Sequence, residues 1–265
     1  MQLIATATIG FDHIDTHYCE QNGIVWTNSA GCNAQGVCDY IEEALNTLFS
    51  SLSGLTLGVV GVGHVGSKVA KMAASYGMRV LVNDPPKWQV GNNNEYGQVV
   101  SLSDIAEQAD IITFHTPLVR KGELATYHLC GEEFLGKCKD NAVIINAARG
   151  GIVDEKALIK HLTATSKRAV IDTWEGEPNI NTDLLGLATL GSFHIAGYSL
   201  QGKINASNMC LSALCKHFCL PALQIDEKTL PLHGDSDKGW IRRVDSQLRE
   251  APERFEVLRE TYRLR

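Results

Sequence analysis

The stretch LTLGVVGVGHVGSKVAKMAASYGMRVLVND, residues 55–84, limits the possible folds more than any other part of the chain. An apolar run enters a turn with glycines at 61, 63 and 66, a helical pattern leaves it, and a second apolar run ends at Asp84, eighteen positions after Gly66. Strand, tight turn, helix and strand in that order make a βαβ unit. Gly61 permits the turn, Gly63 lets backbone approach a pyrophosphate, and Gly66 lets helix and strand pack closely. His64 and Val65 complete the turn at the helix N-terminus, where backbone N–H groups bind anionic phosphates. A carboxylate at Asp84 accepts both hydroxyls of a ribose and repels a 2′-phosphate, so the expected cofactor is NAD rather than NADP. Gly61, Gly63, His64, Val65, Gly66 and Asp84 are its expected contacts.

The pattern then repeats in kind. After a Pro/Asn-rich loop at 85–97 come a helix near 103–109, the strand DIITFH, a helix near 131–137 and the strand AVIIN. The helix DEKALIKHL, the strand RAVID and the strand SFHIA complete the run. Such alternation predicts an α/β fold, a doubly wound parallel sheet with helices on both faces. Ahead of it, ATATIGFDHID carries a short strand and a Thr-rich turn, and NAQGVCDYIEEALNTLFSSL reads as a long helix capped by Asn33. A second long helix is expected over 202–219, followed by an Arg- and Glu-rich tail.

Composition removes several classes of function. A net charge of −6 argues against a nucleic-acid binder, and no apolar run reaches the roughly 18–20 residues of a membrane helix. The eight cysteines include no C-x-x-C pair, which points to a reduced, cytoplasmic setting. Cys210, Cys215 and Cys219 fall in one helical stretch and read as buried helix positions, so no metal is expected.

Three stretches place polar groups after predicted strands, where a parallel sheet holds its ligand. NAARGG supplies Arg149, DTWEGEP supplies Asp172 and Glu177, and SFHIAGY supplies His194. A guanidinium binds a carboxylate bidentately. An imidazole exchanges a hydroxyl proton, and a neighbouring carboxylate orients it and raises its pKa. Together these groups suit hydride transfer at a 2-hydroxy acid, with a nicotinamide accepting the hydride.

GVGHVG, INAARGGIVDEKAL, DTWEGEP and HIAGY, in this order and spacing, resemble the D-isomer-specific 2-hydroxyacid dehydrogenases over nearly the whole chain. The resemblance implies that Arg149, Glu177 and His194 are catalytic, with His194 exchanging the proton. It implies that Asp172 lies on the nicotinamide side, that Thr116 of TFHTPL and Gly197 contact the cofactor, and that Thr8 and Tyr198 contact substrate. His115 is read as a support, not as a rival base. ATATIGFDHID, SAGCNAQGVCDY, VNDPP and HIAGYSLQGK narrow the likeness to the branch that oxidises 4-phospho-D-erythronate in pyridoxal phosphate synthesis, so the expected small-molecule partner is a phosphorylated 2-hydroxy acid. Two other readings fit the same motifs: a dehydrogenase for another D-2-hydroxy acid such as 3-phosphoglycerate or glycerate, and an inactive NAD-binding partial chain or interaction module.

The resemblance also implies a domain plan, with the dinucleotide domain inserted in a smaller, flavodoxin-like substrate domain. Residues 1–35 would be a remnant of that substrate domain and 36–200 the NAD domain. Residues 201–222 would be a helix crossing back, and 223–265 part of a C-terminal dimerisation region that makes relatives homodimers. By the same likeness the opening strand is internal to the substrate domain, and Met1 is expected to be a truncated or mis-assigned start.

Overall fold

A computed structural model describes residues 1–11, 13–88, 93–226 and 239–264. It divides into two compact units, Met1–Val37 with Gly197–Ser236 and Arg263–Arg265, and Cys38–Ala196 with Asp237–Tyr262.

The first unit opens with β1 (Leu3–Ala5), α1 (Thr16–Gln21) and β2 (Val25–Thr27), the two strands pairing in parallel. Asp15 caps α1 by accepting the Tyr18 N–H at 2.8 Å. The first turn of α2 (Ala34–Leu48) also belongs here. Asn33 does not cap that helix through its side chain: its buried Oδ1 finds no hydrogen-bond partner, because the amide packs against Gly197, where any Cβ would overlap it.

In the second unit the chain alternates through β3 (Thr56–Val60), α3 (His64–Ser75), β4 (Arg79–Asn83), β5 (Asn93–Asn94), β6 (Gly97–Val99) and α4 (Leu102–Gln108). It continues through β7 (Ile111–Phe114), α5 (Glu132–Lys137), β8 (Val143–Asn146), α6 (Glu155–Ala164), β9 (Arg168–Ile171), α7 (Thr182–Leu187) and β10 (Leu190–Gly191). The sheet order is β10-β9-β8-β7-β3-β4-β6-β5, parallel except for the β5–β6 pair. The β5–β6 hairpin occupies part of what the sequence reads as loop. Strands β3, β7 and β8 are buried along their whole length, which is why they read as continuous apolar runs and not as alternating ones. Each fully buried Val, Leu or Ile contributes about 1.5–3 kcal/mol.

From β3 the chain builds outward through β4 and β6, then returns to lay β7 on the other side of β3. That reversal between β3 and β7 is where an open α/β sheet forms its ligand crevice.

The predicted strand SFHIA is not a strand. Pairing ends at Gly191, because the next amides turn to Asp172 and its neighbours: Ser192 N donates to Ile171 O and His194 N to Asp172 O, at 2.9 and 3.0 Å. The second long helix, α8 (Leu200–His217), belongs to the first unit and is capped by Ser199. Cys215 is buried on it, Cys210 is half-buried, and Cys219 is exposed beyond the helix end, so the reading of all three as buried helix positions holds only for Cys215.

The tail folds as α9 (Trp240–Glu250) and α10 (Phe255–Glu260), both in the second unit. Trp240, Ile241, Val244 and Leu248 recur at helical spacing and are buried, as is Phe255. Asp245 of α9 accepts the Gly191 N–H at 2.7 Å, and Arg249 donates to the carbonyls of Leu185 and Ala188 at 2.6 and 2.7 Å. These bonds satisfy carbonyls at the end of α7 and an amide of β10, fixing the tail to that edge of the sheet.

Candidate active site

The site is built from turns at the carboxyl ends of the strands. After β3, Gly61 has φ +86, and a Cβ there would meet Thr116 Cγ2 at 2.8 Å and the His115 carbonyl at 2.9 Å. A Cβ on Gly66 would lie 2.0 Å from Gly61 O. Only glycine satisfies both positions. α3 begins at His64 with no side-chain cap, and the space at Gly63 is open, so the first amides of this helix face outward for an anion. His64 is exposed and Val65 half-buried beside them. Asp84 accepts the Val62 N–H at 2.8 Å, which holds its carboxylate against the glycine turn. The turn after β7 carries Thr116, whose buried Oγ1 has no hydrogen-bond partner. An orphaned hydroxyl beside an uncapped helix start is a site that a dinucleotide satisfies.

The turn after β10 carries a different chemistry. His194 takes φ +59, a left-handed conformation that costs a non-glycine residue about 1 kcal/mol or more. Asp172, at the end of β9 and fully buried, holds it there. Besides the His194 N–H on its backbone carbonyl, its Oδ1 accepts from Ile195 N at 2.8 Å and Ser192 Oγ at 2.6 Å, and its Oδ2 from Ala196 N at 3.0 Å. Burial pushes the Asp172 carboxyl above its ordinary range, opposed by the His194 charge and these hydrogen bonds. Because Ser192 gives its proton to Asp172, Tyr40 is the donor in the 2.8 Å Tyr40–Ser192 bond. Neither Ser192 nor Tyr40 is among the site residues read from the sequence, and SFHIAGY offers no sign of the link to a tyrosine on α2.

His194 Nδ1 donates to Glu177 Oε2 at 2.7 Å, while Glu177 Oε1 accepts the Trp174 N–H at 2.8 Å. Burial alone would lower the His194 pKa. The Glu177 hydrogen bond and the charges of Asp172 and Glu177 outweigh it and leave the ring above its ordinary 6.5, with Arg149 opposing. Arg149 is exposed on the turn after β8, which Asn146 fixes by donating to the Arg149 carbonyl at 3.0 Å. His115 is the converse case. Its Nε2 pairs with Thr113 Oγ1 at 3.0 Å, no carboxylate among the described residues is bonded to it, and burial pushes its pKa down to about 3. The structure therefore brings Arg149, Asp172, Glu177 and His194 together, and Gly61, Gly66 and Thr116 together.

In the first unit, Thr8 is exposed and donates to Gly10 O at 2.7 Å, with Thr6 Oγ1 also 2.7 Å away. Tyr198 is half-buried under the Lys203 ammonium, 5.0 Å from its ring centre. Among the described residues no cluster of three potential metal ligands occurs, and no helix is long and apolar enough to cross a membrane.

Residues 34–193 match the family model described as D-isomer specific 2-hydroxyacid dehydrogenase, NAD binding domain. The chain belongs to the D-isomer specific 2-hydroxyacid dehydrogenases. The erythronate-4-phosphate dehydrogenase of Bacteroides thetaiotaomicron is 43% identical over all of this chain and 80% of its own length. That of Bacteroides fragilis is 48% identical over 82% of this chain, which spans 63% of it. Among solved structures, the D-isomer specific 2-hydroxyacid dehydrogenase of Lactobacillus delbrueckii ssp. bulgaricus in an NAD complexed form superposes with a TM-score of 0.71 at 25% identity, over 85% of this chain and 79% of that one. The cofactor is NAD: the matched family model is an NAD binding domain that contains the Gly61–Gly66 turn, and the superposed Lactobacillus structure is an NAD complex.

Proposed function

We propose that this dehydrogenase oxidises 4-phospho-D-erythronate to (R)-3-hydroxy-2-oxo-4-phosphooxybutanoate, one NAD being reduced and one proton released per turnover, in pyridoxal phosphate synthesis. The observation that carries the reading is the His194–Glu177 pair, a 2.7 Å hydrogen bond that leaves Nε2 of the same ring for substrate. Names borne by relatives 43% and 48% identical support the choice of acid.

His194 acts as the base, taking the C2 hydroxyl proton at Nε2 as the positive charge forming on the ring is stabilised by Glu177. Asp172 holds the backbone that aims the ring. Arg149 binds the substrate carboxylate through its guanidinium fork and polarises the adjacent C2–O bond as it becomes a carbonyl. Bound NAD supplies the acceptor for the C2 hydride. Gly61, Gly63, His64, Val65, Gly66 and Gly197 hold it by backbone, Asp84 through its ribose and Thr116 through its hydroxyl. Thr8 and Tyr198 contact the polyhydroxy acid. In this reading residues 1–35 and 201–222 serve the substrate domain, 223–265 serve dimerisation, and the enzyme works in the cytoplasm as a homodimer.

The test is to supply the purified chain with NAD and, in parallel, 4-phospho-D-erythronate, 3-phosphoglycerate or glycerate, and to follow the reduced nicotinamide. Turnover highest with 4-phospho-D-erythronate is expected. Preference for another acid would replace the substrate, and NAD binding with no turnover on any would remove the enzymatic reading.

A further inference from the structure

The Glu177 carboxylate has a third neighbour, which comes from the far end of the chain. Arg259, in the last turn of α10, places Nη1 3.8 Å from Glu177 Oε2, the same oxygen that accepts from His194. The pair is sheltered, with side-chain exposures of 25% and 18%, so solvent screens it less than a surface ion pair. The guanidinium is also held from behind, its Nη2 donating to Glu256 one turn earlier. α10 itself is anchored by the fully buried Phe255, and Tyr262 just beyond it meets Phe193, the residue before His194, edge to face at 5.9 Å.

We propose that Arg259 is a positioning residue for the Glu177–His194 pair: its guanidinium holds the carboxylate against the imidazole and withholds part of the negative charge from the ring. This rests on the catalytic reading of that pair and adds to it the role of the folded tail. Glu177 then balances two cations on one oxygen. Without Arg259 the whole charge of Glu177 falls on His194, the ring holds its proton more tightly, and a base for the hydroxyl proton is present over less of the pH range. The other charged groups around the pair are Asp172 and Arg149 beside His194, Glu155 and Glu175 on the Glu177 side, and Glu256 behind Arg259. Of these, Glu256 alone is bonded to Arg259 itself.

The experiment compares the full-length chain with Arg259→Gln and Arg259→Lys. Two readouts are taken: the pH profile of kcat/KM for oxidation, and the NMR titration of the His194 ring. Loss of a partly sheltered charge at this distance moves the acidic limb and the ring titration of Arg259→Gln up by about half a pH unit, with Arg259→Lys staying near the unaltered chain. A structural role alone would lower the rate equally at every pH and leave both titrations where they were. Coincident profiles for Arg259→Gln and the unaltered chain, or an equal shift in Arg259→Lys, overturn the proposal. If Arg259→Gln does not fold, Glu256→Gln decides: freeing Arg259 from its second carboxylate moves the limb down by a few tenths of a unit, and an unmoved limb overturns the proposal. The NMR readout needs no turnover, so a failure of His194 as catalyst is distinguishable from a failure of Arg259 to act on it.

Discussion

Two turns at the carboxyl edge of one sheet each present a histidine, and their neighbours give the two rings opposite charge preferences. His115, after β7, faces a threonine hydroxyl and packed backbone, and its pKa falls to about 3. His194, after β10, faces Glu177 directly and Asp172 beneath, and its pKa rises although burial alone would lower it. Desolvation disfavours the charged imidazole in both places, and only a carboxylate in contact reverses it. The first turn is therefore suited to packing against a cofactor through Thr116 and Gly61, and the second to moving a proton.

The largest expected effect lies in the second turn. His194→Ala removes the base and lowers kcat by about 10²–10⁴-fold with folding intact, as steady-state kinetics on the purified variant would show. Full activity in that variant would erase the contrast. A smaller effect belongs to the first turn: Thr116→Val fills the same space without the hydroxyl, so KM for NAD should rise several-fold while kcat changes little. A fall in kcat with unchanged KM would instead place the β7 turn in the chemistry.

His115→Gln should leave the rate within about threefold and appear in stability alone. Between pH 6.5 and about 3 the unfolded chain carries a proton on His115 that the folded chain does not. Stability is thus lost as the pH falls through that window, by about 1.4 kcal/mol per pH unit for one proton. Denaturant titrations across the window should show this slope reduced by that amount in the variant.

Much of this was legible in the residues because it is local. LTLGVVGVGHVG shows its strand, turn and helix within a dozen positions, and Asp84 sits at a spacing that the βαβ geometry dictates. Glu177 and His194 were also readable, as polar residues at the ends of apolar runs. The conformation that aims His194 was not. SFHIA alternates like a strand, and nothing in it shows that Asp172, twenty-two positions earlier, takes over its amides and bends it into a left-handed turn. Asn33 misled for a related reason: its residue type suits a cap, but Gly197 claims its side chain. Arg259 was illegible altogether, one arginine among several in a charged tail. The packing of α9 on β10 through Asp245 and Arg249, with Phe255 buried and Tyr262 against Phe193, brings it to Glu177.

NMR titration of the two histidine rings in the unaltered chain tests the contrast most directly. His194 should gain its proton above pH 6.5, and His115 should stay neutral down to about pH 3 or until the protein unfolds. A His115 titrating near 6.5, or a His194 titrating below it, would contradict the assignment of one turn to packing and the other to proton transfer.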